Sequence, residues 1–205
     1  MALLGKTLPR VDQPLLEALA ARNFAPRVVP DANSARELVL SLLPDGALVS
    51  HGGSTTIEQI GLPEALAASR RVRYGNAEWL AEDDDERRLE IRKHNSIFAD
   101  VYLGSVQALA RTGQVVGCDA GGGRQGPYVW GPARVIWVAG VNKIVDDLEA
   151  AIRRVYEVAL PLEDARMRTV EGSPEGSSVN KLVVYEREIR VDRMTHVLVE
   201  AELGF

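Results

Sequence analysis

Residues 134–160 read RVIWVAGVNKIVDDLEAAIRRVYEVAL, and this stretch decides the fold. Its first part, Arg134 to Gly140, is a short run of β-branched and aromatic residues bounded by Pro132 and Gly140, which predicts a buried strand. From Ile144 to Ala159 apolar positions recur at helical spacing, which predicts a long helix closed by Pro161. A strand, a short turn and a helix make the repeating unit of an α/β protein, and similar units recur upstream. The run ALVS, Ala47 to Ser50, predicts a second buried strand that stops at His51, Gly52 and Gly53. Ser54 or Thr55 then caps a helix through Ile57 and Ile60. Gly61 and Pro63 end it and begin a short helix over residues 64–69.

Working outward from these two units, Asp12 is a candidate N-cap, with Pro14 in the first turn of a helix over residues 15–24. A second helix, residues 34–43, carries an apolar stripe through Leu38, Leu42 and Leu43 until Pro44, Asp45 and Gly46 stop it. Residues 71–74 read as a strand. Residues 81–99 place acidic side chains before basic ones, the order a helix macrodipole favours, and offer Leu89, Ile91 and Phe98 to the core. Residues 101–106 and 114–118 read as strands with a turn at Thr112 and Gly113. Residues 120–132 form a Gly-rich loop, with no helix expected after Gly121 to Gly123. Two more strands, in residues 181–191 and 196–204, are expected near the sheet edge. Strands separated by helices predict an α/β fold, a largely parallel sheet with helices on both faces. Residues 1–205 read as one domain, with a helical part at 1–45 and the sheet core, crossover helices and C-terminal strands at 46–205.

Composition narrows the function classes. The chain has 205 residues, 46% hydrophobic and 26% charged, with a net charge of -5. A chain of this length buries roughly 70% of its unfolded surface, so its core needs no metal or cross-link. The acidic balance argues against nucleic acid and against anionic membranes as partners, since both demand surplus Lys and Arg. No apolar run approaches the roughly 20 residues of a membrane span, and the start, broken by Pro9 and Pro14, is too short for a secretory signal. A cytoplasmic location is the expectation. Cys118 is the sole cysteine, so neither an internal disulfide nor a cysteine-ligated cluster can form within the chain.

Ligands of open α/β sheets sit beyond the carboxyl ends of the strands, and two such ends stand out. At Gly52, Gly53, Ser54 and Thr55 the glycines admit a ligand close to the backbone, and the next helix turns free amides toward it. At Asn142 and Lys143, after the strand ending at Gly140, a full positive charge can meet the same anion. If the two strands are neighbours, one crevice receives both loops. The alternative is purely structural: glycine for turn geometry, Ser and Thr for capping. No GK[ST] follows the glycines and the dinucleotide fingerprint is missing, so neither ATP nor NAD is expected, and no cofactor is assigned. The acidic run Glu82 to Glu86 reads as a solvated helix start, and His51, His94 and His196 lack metal-ligand spacing, so no metal is expected. His51 can orient a ligand or make a structural hydrogen bond. Glu58 suits a surface position better than a general base, and Cys118 suits an inert buried thiol.

In order, GGSTTIEQIG (52–61), ADVYLGSVQALARTGQVV (99–116), GPARVIWVAGVNKIVDDLEAAIRRV (131–155) and VLVEAELGF (197–205) resemble the LUD domain family, named for lactate-utilisation proteins. The similarity runs from about Leu48 to Phe205, and NKIV is its most specific part. The resemblance implies the NagB/RpiA/CoA-transferase-like fold, a three-layer α/β/α arrangement. It also implies an accessory or ligand-binding protein of lactate or organic-acid utilisation; the two anion-suited loops leave an enzyme acting on a phosphorylated sugar or CoA thioester as an alternative, and a structural module with an empty crevice is the third. Gly52, Gly53, Ser54, Thr55, Asn142 and Lys143 fall where relatives in the superfamily place phosphate, sugar or CoA. The expected partners are a small anionic metabolite, iron–sulfur subunits and further copies of the chain. Two departures stand out: Gly123 replaces the Asn that often precedes the equivalent of Arg124, and the cysteine-rich stretch that often follows the long helix is missing. No residue is assigned as nucleophile, acid or base.

Overall fold

The computed structural model describes residues 8–169 and 172–205. The reading of the chain's start therefore lies partly outside the described residues. A six-stranded sheet forms the centre, built from β1 (Phe24–Val29), β2 (Leu48–His51), β3 (Arg73–Tyr74), β4 (Val101–Gly104), β7 (Arg134–Gly140) and β10 (Met194–Val199). Their order is β1-β10-β7-β4-β2-β3, and every pairing is parallel. β7 shows why the opening stretch reads as it does. Val135, Trp137 and Ala139 enter one core, while Ile136 and Val138 enter the other. A strand buried on both faces carries a continuous apolar run instead of an alternating one. Each such fully buried large side chain stabilises the fold by about 1.5–3 kcal/mol.

Helices α2 (Ala32–Leu42), α3 (Thr55–Gln59) and α4 (Leu62–Ala68) supply Val39, Ile57 and Leu66 to one core. On the other face α1 (Gln13–Ala20) contributes Leu15 and Leu19. The same face carries a second, four-stranded sheet of β5 (Ala108–Ala110), β6 (Val115–Asp119), β8 (Ile144–Val145) and β9 (Lys181–Tyr185), ordered β8-β5-β6-β9. Helix α8 (Leu148–Arg154) covers that sheet through Ala151. A mostly parallel central sheet with helices around it is the expected three-layer α/β/α fold. Among the described residues no helix is long and apolar enough to cross a membrane.

Several local expectations are corrected. The first helix ends at Ala20, because Asn23 turns with a positive φ of 60° and Phe24 opens β1. Within residues 8–45 a strand, β1, therefore lies between helices α1 and α2. β1 was hidden by Pro26, which an edge strand tolerates. Helix α5 (Gly75–Leu80) follows the two-residue β3. In α6 (Asp85–Ile97) Leu89 is exposed, as is Phe98 beyond its end, because the helix packs on α5 and the end of β2 instead of on a core. A helix does follow the three glycines, α7 (Gln125–Val129). Ile144 and Val145 are a strand, and the helix begins only at Leu148, capped by the Asp147 carboxylate. Nor does Pro161 close it. A π-helical turn at Val155–Ala159 leads into α9 (Leu160–Thr169). That wider turn already interrupts the i→i−4 ladder where Pro161 has no N–H to give. Finally, β10 is interior to the central sheet, between β1 and β7, while β9 lies at the edge of the second sheet.

Candidate functional site

Parallel pairing sets the carboxyl ends of β2, β4 and β7 side by side, so the loops after β2 and β7 flank the loop after β4. The condition set by the sequence is met, and the two marked loops converge on one cleft. The cleft is partly open to solvent. Gly53, Ser54, Thr55 and Thr56 form one wall, Ser105 and Lys143 its floor, and Arg124 another side.

Lys143 ends a 3₁₀ turn, Val141–Lys143, directly after β7, and is 2% exposed. Its Nζ donates to Thr56 Oγ1 at 3.0 Å and Ser105 Oγ at 2.9 Å. These hydroxyls are its partners among the described residues. Burial, reinforced by the like charges of Arg154 and Arg124, pushes the amine well below the ordinary lysine range. Arg154, on α8, is itself buried and donates to the Asn142 carbonyl at 3.2 Å and to the Gln107 carbonyl. Desolvation lowers it to about 10. It thereby fixes the loops after β4 and β7 against each other.

Arg124 closes the opposite side. The Asp119 carboxylate accepts from its Nε at 3.0 Å, its Nη2 at 2.7 Å and its backbone N–H at 2.8 Å. Nη2 also donates to the Cys118 carbonyl at 3.1 Å, and Nη1 reaches the Gly53 carbonyl at 3.4 Å. The side chain thus ties the second sheet to the β2 loop. Gly52 is needed beneath it, because a Cβ there would collide with the Arg124 side chain.

Of the residues predicted from the sequence, Gly53, Ser54, Thr55 and Lys143 line the cleft, and Gly52 and Asn142 do not. Ser54 caps α3, its Oγ accepting from the Ile57 N–H at 3.4 Å. Asn142 faces the C-terminal segment: its Nδ2 donates to the Gly204 carbonyl and its Oδ1 accepts from the Leu203 N–H, both at 3.1 Å. It supports the site indirectly, since Gly204 lies against Lys143. His51 has a structural role, with Nδ1 donating to the Gly52 carbonyl and Nε2 accepting from the Tyr74 hydroxyl. Glu58 is exposed outside the cleft. Cys118 does line the cleft, but burial pushes its thiol up to about 11. Ser105, Arg124 and Arg154 are site residues that the sequence did not mark, whereas Thr56 belongs to the turn after β2 whose hydroxyls were expected to add donors. Ser105 had a usable signal, a hydroxyl just past the strand ending at Gly104. Arg154 had none, because its partners are backbone carbonyls distant in sequence.

The parallel sheet, the second sheet packed on it and the cleft at the strand ends define a three-layer α/β/α protein with a strand-end site. Residues 13–173 match the LUD domain family, and the chain belongs to it. The match starts well before Leu48, so it takes in the N-terminal helices and β1. A crystal structure of a DUF162 family protein from Deinococcus radiodurans shares the fold at 16% identity, with a TM-score of 0.51, covering 91% of this chain and 93% of that one. None of the curated proteins matches the chain.

Proposed function

We propose that this LUD domain protein binds a small organic-acid anion in the cleft and serves as a ligand-handling or accessory protein in lactate or related organic-acid utilisation. One observation carries the reading: Lys143 is buried at the cleft floor and held by two hydroxyls, with no carboxylate partner among the described residues. A buried amine without a counter-ion is unfavourable in the empty protein, and an incoming anion supplies the missing charge. Thr56 and Ser105 then orient the amine, and Arg124 adds a second cation whose own carboxylate, Asp119, fixes its direction. With Cys118 as the sole cysteine, iron–sulfur chemistry in this reading belongs to a partner subunit, and the reading has the protein act in the cytoplasm.

The test is thermal unfolding of the full chain with lactate, pyruvate, sugar phosphates and CoA esters. A ligand at about a hundredfold excess over its Kd raises stability by about 2.7 kcal/mol. Stabilisation by the organic acids that disappears in Lys143→Met supports the reading. Sugar phosphates or CoA esters acting alone would move the protein to an enzyme of that substrate class. A flat response to every anion would leave a structural module.

A further inference from the structure

We infer that Lys143 is a nucleophile that captures a small oxo acid as an imine on Nζ, the ligand carboxylate resting on Arg124. The inference rests on the proposed organic-acid site and adds a covalent step and a carbonyl requirement. Its basis is geometric. Nζ stands at the floor of a cleft open to solvent, 2.9 Å and 3.0 Å from hydroxyls that can accept from an ammonium or donate to a free amine. An ion-paired lysine keeps its proton in the pair, whereas Lys143 has no carboxylate partner among the described residues. Burial and the charges of Arg154 and Arg124 further favour the neutral amine. Desolvation of this kind is what makes lysine nucleophilic toward carbonyl carbon. Arg124 meets the other requirement, because Nη1 makes only the long contact to the Gly53 carbonyl and keeps an N–H for a ligand carboxylate.

The step balances without any redox partner. The Nζ lone pair adds to the carbonyl carbon while the C=O π pair moves to oxygen. That oxygen takes a proton, passed from nitrogen through the Ser105 or Thr56 hydroxyl, to give a carbinolamine. A second proton from solvent lets the oxygen leave as water, and the nitrogen lone pair closes the protonated imine.

Borohydride trapping tests the inference, with pyruvate as probe and lactate, which differs in lacking the carbonyl, as control. The chain carries Lys6, Lys93, Lys143 and Lys181, so peptide mass mapping resolves the modified position. The expected result is a reduced pyruvate adduct on Lys143, about tenfold above Lys93 and Lys181. Lactate gives no adduct and, in excess, suppresses the one from pyruvate. Lys143→Arg loses the adduct while retaining the native circular dichroism spectrum. Stabilisation by pyruvate without an adduct on Lys143 would overturn the imine and leave anion binding intact. An adduct on Lys143 with no stabilisation by lactate would do the reverse. Equal labelling of Lys93 and Lys181 would also overturn the inference.

Discussion

At the scale of single residues, two buried bases, Lys143 at the cleft floor and His196 in the core, lack a carboxylate partner among the described residues, and each leaves a measurable trace. Lys143 occupies its site at the cost of desolvating its charge or giving up its proton. Lys143→Met keeps the volume and removes that cost, so it is expected to raise stability by about 1 kcal/mol in urea unfolding while abolishing the response to organic acids. His196 on β10 is fully buried, and neither ring nitrogen has a partner among the described residues. Burial, and then the charge of Lys143, lowers it to about 3. The unfolded chain protonates this histidine near 6.5, so between pH 6.5 and about 3 the unfolded state holds a proton that the folded state refuses. Stability is therefore full above 6.5 and falls with falling pH through that window, by up to about 1.4 kcal/mol per unit. Urea midpoints at pH 7, 6 and 5 should show this acid slope in the native protein and a shallower one in His196→Leu.

At the scale of elements, β4 and the Gly-rich loop depend on one contact. The Tyr128 hydroxyl, from α7, accepts from the Ser105 N–H and donates to the Ser105 carbonyl, each at 3.1 Å, and lies where a Cβ on Gly104 would be. Gly104→Ala is expected to cost about 1–3 kcal/mol by overpacking and, by moving Ser105, to weaken the ligand response; chemical unfolding and thermal shift check the two effects. Elements with strong local signals were legible in the sequence. Asp12 and Ser54 cap their helices as read, and β2, β6 and β7 sit where apolar runs placed them. The misread elements lie where tertiary contacts outweigh local pattern. Ile144 and Val145 fit a helical period but pair with Leu109 and Ala110, and Pro26 hides an edge strand that pairs with β10.

At the scale of the whole molecule, Arg193 holds distant segments together. It is 6% exposed, and its guanidinium donates to the carbonyls of Pro127, Tyr128 and Pro132 and to the Glu188 carboxylate at 2.7 Å. Arg193→Ala leaves the Glu188 carboxylate with the Arg190 N–H but without its cation and removes the partner of three carbonyls, and is expected to cost about 3 kcal/mol, read as a lower urea midpoint. The sequence by itself determined the α/β class, the strands either side of the cleft and both loops that enter it. Hydrophobic period, capping residues and turn glycines act over a few residues and are written locally. The tertiary structure alone decided that β10 lies inside the sheet and that β4 separates β2 from β7. It also decided that Lys143 meets Thr56 and Ser105 while Asn142 turns away. Those outcomes depend on strand order and on which buried polar groups find partners across the chain, and neither is encoded in any one segment.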